Sequence, residues 1–241
     1  MIAVRRTQER RHERRGKQES WLSFDEQALA DDPLAGGFNG LRILKESRLP
    51  PGGRGPVHPH HDEESITYVL EGALAYDDSL GRSGVLNAGE FRRMAAGRGV
   101  SCKETNPSRS DWAHVFQVWL SSHDAEVRPG HEQKRFSAAE RRGKLCLVAS
   151  PDGRSSSLQL QADARVYSAL LERGRHLVHD LALGRGAWLQ VVAGELTLGD
   201  NVLFAGDGAR VSGERPLSFT ARAETEVLLV DLAEPRSLPA S

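Results

Sequence analysis

Cysteine is scarce in this 241-residue chain: Cys102 and Cys146 are all it has. Two thiols cannot make the disulfide framework of a secreted scaffold, so a cytoplasmic location with both reduced is expected. Neither sign of charge is in excess, since 32 basic residues face 33 acidic ones. A net charge of −1 demands no anionic partner. No apolar run approaches the roughly 20 residues that span a bilayer, and no membrane partner is expected. The start of the chain lacks the apolar core of a signal peptide. Long helical patterns are missing as well, which points away from bundles.

What remains is short and strand-like. With 24 glycines, β-type runs alternate with Gly, Pro, Asn and Asp clusters from residue 41 onward. Residues 65–70 (SITYVL) and 115–120 (VFQVWL) are the strongest of them in the first half. Arg5, Arg6, Arg10, Arg11, Arg14, Arg15 and Lys17 cluster near the start, with Glu9, Glu13 and Glu19 between them. A nucleic-acid arm is one reading of this cluster. The interleaved acids and the lack of aromatics before Trp21 favour a solvated leader, so no nucleic-acid binding is expected.

Residues 122–142 are polar and broken by Pro129-Gly130. Ser137 and Glu140 there form a capping-box signature for a short helix, and the connection between two halves is placed in this stretch. The second half then repeats the first. Tyr68-Val69-Leu70-Glu71-Gly72-Ala73-Leu74 parallels Gln190-Val191-Val192-Ala193-Gly194-Glu195-Leu196, and Leu86-Asn87-Ala88-Gly89-Glu90 parallels Leu203-Phe204-Ala205-Gly206-Asp207. A strand–Gly–strand unit and an acidic Gly turn, each found twice, indicate two copies of one barrel.

The sharpest chemical feature is His58-Pro59-His60. Residues two apart in a strand share a face, so two imidazoles there can reach one ion. The proline between them lacks an N–H and suits a rim position. Such a pair alone is weak, because nine histidines produce it by chance. Cys102 and Glu104 have the same i, i+2 spacing after the glycine bend at 97–99. Facing the histidines, they complete a set of two imidazoles, a thiolate and a carboxylate. Imidazole and carboxylate suit Fe(II), Zn(II), Ni(II) or Cu(II), and a thiolate pulls toward softer ions. In a rival reading Cys102 is a small buried residue in place of a lost ligand, leaving a weak three-ligand site or an empty pocket. Ligand chemistry favours coordination. Cys146, in an apolar run, reads as core.

His58-Pro59-His60 with Asp62 and Glu64, then Thr67 to Gly72, resembles the first block of the pirin family. The likeness continues through Asp78-Ser79-Leu80-Gly81, Gly89-Glu90, Arg93-Met94-Ala95-Ala96-Gly97 and Asn106-Pro107-Ser108. It extends to Phe116-Gln117-Val118-Trp119, Ala149-Ser150-Pro151-Asp152-Gly153 and Ala205-Gly206-Asp207-Gly208-Ala209, and covers about residues 39–232. The resemblance implies an all-β fold of two tandem cupin-type barrels, a bicupin, packed face to face. It implies an N-terminal barrel over residues 1–125 with the metal site, a connection over 126–143 and a C-terminal barrel over 144–241 without metal.

The family pattern assigns His58, His60 and Glu104 as metal ligands and puts Cys102 where the third histidine stands. Glu64 is the rival carboxylate, a ligand in the wider cupin pattern; the pirin pattern gives it a supporting role behind the ligands. His61 is expected at the rim. His176 and His179, three apart, fall on different faces with no acidic partner in view, and no metal is expected in the second half. The family's metal is usually iron, so one divalent ion, Fe(II) ahead of Zn, Ni or Cu, is implied. Two functions follow from the resemblance. One is a quercetin 2,3-dioxygenase-type oxygenase acting on a small aromatic, flavonol-like substrate, with Glu104 as the catalytic base. The other is a metal-dependent, redox-sensing regulatory protein with a protein partner and no turnover.

Overall fold

The structure is a computed structural model that describes residues 1–24, 34, 36–121, 129–213 and 216–234, and, for His58–His60, the backbone. The 126–128 part of the expected connection and the 235–241 end lie outside the described residues.

Two seven-stranded and two four-stranded sheets pair into two barrels, as the repeat implies. In the first barrel, Glu63–Glu71, Glu90–Ala95, Ala113–Ser121 and Leu41–Leu49 form the centre of the larger sheet. His58–His60, Val100–Thr105, Ala73–Asp78 and Ser83–Asn87 form the smaller one. The second barrel is built alike, with Arg185–Ala193, Thr225–Ala233 and Ala164–Leu171 at the centre of its larger sheet.

Strand alternation decides which residues see which space. Along Glu63–Glu71, Ser65, Thr67 and Val69 turn into the first barrel. Ile66 and Tyr68 turn out onto the second barrel and join a core shared by both halves, with Phe91, Phe116, Val166, Trp188 and Leu228. Both faces are therefore buried, which is why this stretch reads as a continuous β-rich run and not as a polar–apolar alternation.

The basic start of the chain is not a solvated leader. Ile2–Arg5 pairs with Gly208–Val211 in the second barrel's sheet, whereas Arg11–Arg15 and Gln18–Leu22 form a hairpin on Leu41–Leu49 of the first. Arg10 is 4% exposed and donates to Glu46 and to the carbonyl oxygens of Gly206 and Trp21. Buried acceptors from both halves fix these arginines, and composition alone does not show such partners. The boundaries also shift: residues 2–5 serve the second barrel, and Gly130–Arg135, expected in the connection, is an edge strand on Glu90–Ala95 of the first. The short helix is present at Ala138–Arg141, where the Ser137 side chain accepts from the Glu140 N–H and Glu140 accepts from the Ser137 N–H. No helix among the described residues is long and apolar enough to cross a membrane.

Candidate metal centre

The two barrel interiors differ in chemistry. The second is filled by Ala169, Leu171, Ala187, Leu189, Val191, Leu217, Phe219, Val227 and Leu229. The first carries Ser65, Thr67, Arg92, Cys102 and Gln117 among its buried residues. It also holds a cavity of about 400 Å³, whose wall includes Lys45, Met94, Cys102, Glu104, Val115, Gln117 and Trp119. Glu13, Arg15 and Gln18 of the N-terminal hairpin line it too.

The antiparallel register sets Cys102 opposite His58 and Val100 opposite His60. On its other edge the Val100–Thr105 strand sets Cys102 opposite Asp78 and Glu104 opposite Tyr76. Cross-strand partners share a face, so positions 58, 60, 102 and 104 fall on one face of the smaller sheet. That face is the inner one, because Cys102 and Glu104 line the cavity.

Sequence reading missed the groups that hold Cys102 and Glu104. Arg92 is 2% exposed. It donates through Nη2 to Glu104 Oε1 at 3.0 Å, and through Nη1 and Nη2 to Cys102 Sγ at 3.9 and 3.8 Å. Its guanidinium lies 4.1 Å above the centre of the Tyr76 ring. Gln117 Nε2 donates to both Glu104 oxygens, at 3.2 Å to Oε1 and 2.9 Å to Oε2. The signals were Gln117 inside the apolar run VFQVWL and the arginine pair Arg92-Arg93 inside the strand EFRRMA. Burial pushes the Cys102 thiol pKa up, opposed by the charge of Arg92 and reinforced by Glu104. Burial likewise pulls the Lys45 pKa down, opposed by Glu104 and then Glu13.

Parity separates the two rival carboxylates. Glu64, fully buried, stands on the outward face of its strand with Ile66 and Tyr68. It accepts from Arg93 Nε at 2.9 Å, from Arg93 Nη2, and from the backbone N–H groups of Gln161 and Ala162 in the second half. Glu64 is therefore a clasp between barrels and not a support behind Cys102 and Glu104. His61 is exposed, with Nδ1 2.9 Å from the Arg98 carbonyl oxygen. Cys146 is half-buried against the shared core. His179 does have an acidic partner: Nε2 lies 2.9 Å from Asp231 Oδ2, supplied from 52 residues away.

Among the described residues no three of His, Cys, Asp and Glu are grouped to hold a metal ion, and a four-ligand set needs the histidine strand that pairs beside Cys102 and Glu104. A carboxylate and a thiol share the cavity wall, the histidine strand pairs with theirs, and a positive group, the Arg92 guanidinium, lies against both. Imidazole, thiolate and carboxylate together suit divalent transition ions.

The fold defines a two-barrel cupin protein. Residues 9–120 match the family model described as Pirin, and residues 147–232 match the model described as Quercetinase C-terminal cupin domain. The chain is 38% identical to the quercetin 2,3-dioxygenase of Escherichia coli strain K12, over 96% of this chain and 99% of that one. A pirin-like protein of Caulobacter vibrioides is 32% identical over 84% of this chain and 87% of its own. The crystal structure of YhhW from Escherichia coli superposes with a TM-score of 0.90 at 36% identity, covering 99% of this chain and all of YhhW (100%). The same bacterial pirin in complex with nickel(II) gives 0.89 at 35% identity, covering 98% of this chain and 100% of that one. The chain belongs to the pirin family.

Proposed function

We propose that the first barrel is a mononuclear metal site, with His58, His60, Cys102 and Glu104 as ligands and Fe(II) as the working ion, for flavonol 2,3-dioxygenation. The observation that carries this is the cavity whose wall combines Cys102, Glu104 and Gln117, set against an apolar, filled second barrel. Its volume falls in the roughly 300–1,000 Å³ range of small-molecule sites. Kinship with a protein named quercetin 2,3-dioxygenase supports the substrate class.

A bound ion would supply Lewis-acid and redox chemistry towards O2 and an oxygen-donor substrate. The rest falls to the protein. Glu104 takes the proton of the substrate's 3-hydroxyl, acting as a general base in the cavity wall. Gln117 and Arg92 fix the orientation of that carboxylate through their three hydrogen bonds. Lys45, on the same cavity, pairs with the oxyanion so formed. Met94, Val115 and Trp119 receive the aromatic rings and exclude water. The redox-sensor reading has less support, because sensor thiols are solvent-accessible, whereas Cys102 is 6% exposed.

The test is aerobic incubation of iron-loaded protein with quercetin, followed through the flavonol absorption band. Loss of the band well above a metal-only control, absent in the His58→Ala/His60→Ala double variant, is expected. A rate equal to the metal-only control refutes the reading.

A further inference from the structure

We infer that Arg92 is a resident cation of the first barrel that sets metal affinity by competing with the ion for Cys102 and Glu104. This rests on the metal-site reading above and deepens it.

Four observations converge on Arg92. The side chain is buried in the barrel at 2% exposure, so its charge cannot be shed into solvent without opening the barrel. One nitrogen, Nη2, serves both proposed ligands, 3.0 Å from Glu104 Oε1 and 3.8 Å from Cys102 Sγ. The guanidinium is stacked on Tyr76 at 4.1 Å, which holds its plane in place. Its Nε is buried without a hydrogen-bond partner among the described residues, so of these the thiol–carboxylate pair and the ring position the head group.

An ion that ligates both Cys102 and Glu104 competes with these N–H groups for the electron density of the same sulfur and carboxylate. A charge-assisted guanidinium–carboxylate bond is among the stronger polar contacts in a protein, and it must be given up. The displaced guanidinium then remains beside a second cation inside a low-dielectric barrel, where like charges repel more than in water. Both effects weaken metal binding, and both disappear when the side chain is neutral. Arginine is suited to the role because its planar fork spans two acceptors and it does not deprotonate. The same geometry gives the metal-free site a partner for its carboxylate, so the barrel folds without an unpaired buried charge.

The experiment uses full-length protein stripped with EDTA and Ni(II) as the probe, with affinity read by competition against a chromophoric chelator. Arg92→Gln, neutral and still polar, is expected to bind Ni(II) at least about tenfold more tightly than wild type. Arg92→Lys keeps the charge but cannot span both groups, and a gain of about threefold is expected. Thermal melts identify which variants are folded, and either one suffices. A folded variant that binds Ni(II) no more tightly than wild type overturns the inference, since a residue that merely supports the ligands would weaken binding on removal. Binding that is lost in the His58→Ala/His60→Ala double variant yet unchanged in the Arg92 variants overturns the inference alone. Absence of Ni(II) binding in wild type and both Arg92 variants overturns the metal-site reading together with it.

Discussion

Lys45 and Glu104 are opposite charges on the wall of one cavity, and burial draws the lysine toward its neutral form while Glu104 opposes it. A lysine kept there serves an anionic substrate better than a neutral one. Lys45→Met is expected to lower kcat for quercetin about tenfold with KM within a factor of about two, the loss of one charged hydrogen bond to the oxyanion that Glu104 generates. Steady-state kinetics on iron-loaded protein checks this; a rise in KM at constant kcat would place Lys45 in substrate binding instead. Gln117→Leu leaves the hydrogen bonds at Glu104 Oε2 and Oε1 without their amide donor. A fall in kcat of about tenfold or more, with the thermal midpoint nearly unchanged, is the expected result.

At the scale of elements, the repeated hairpins rest on two glycines with equivalent duties. Gly72 has φ +71° and Gly194 φ +83°, both in the left-handed region. A Cβ at Gly72 would meet the Trp112 carbonyl oxygen at 2.3 Å; at Gly194 it would meet that of Glu224 at 2.1 Å. Gly89 has φ +83° with open space around it. Gly89→Ala should therefore cost about 1–2 kcal/mol, the backbone penalty alone, whereas Gly72→Ala and Gly194→Ala should exceed about 3 kcal/mol. Urea unfolding separates them; equal losses at all three positions would show that the carbonyl contacts relax freely.

At the scale of the whole molecule, the barrels are joined by a shared apolar core and by buried polar clasps. Arg141 Nη1 donates to Glu226 at 2.8 Å, to the Tyr68 hydroxyl at 3.0 Å and to Ser168 at 3.2 Å, linking the connecting helix with both halves. Arg141→Met leaves the Glu226 carboxylate with the Tyr68 hydroxyl as donor but without its counter-charge, and should cost about 3–5 kcal/mol, with a single unfolding transition by calorimetry because neither barrel keeps its face covered alone. Acid acts on two further buried charge clusters. Burial raises the Glu46 pKa, but the hydrogen bond from His114 and the charge of Arg10 outweigh it, leaving the carboxyl below 4.5. In Asp231, burial is likewise outweighed by His179 and Arg185, leaving the carboxyl below 3.8. Both pKa values are depressed on folding, so their stabilisation is complete above the unfolded values and is lost as pH falls through the folded ones. The thermal midpoint should hold from pH 7 to about pH 5 and drop below about pH 4. A midpoint that stays level to pH 3 would contradict this.

Sequence alone determined the two-barrel plan, because each copy needs the same left-handed glycine at the same turn, and that need survives in the letters around Gly72 and Gly194. It also determined that Cys102 and Glu104 share a face, since strand alternation is local. Which carboxylate belongs to the cavity was a tertiary decision. Glu64 and Glu104 look alike in the chain, and only the packing of the Glu63–Glu71 strand between two barrels turns Glu64 away to Arg93 and the second half. The same holds for the basic start, whose Arg10 is fixed by Glu46 and Gly206, 36 and 196 residues away. Arg92 and Arg93 are adjacent in sequence and opposite in fate, one against Cys102 and Glu104, the other clasping Glu64. Alternation puts them on opposite faces, but which face is the cavity follows from how the sheet closes, and that depends on contacts the linear order does not contain.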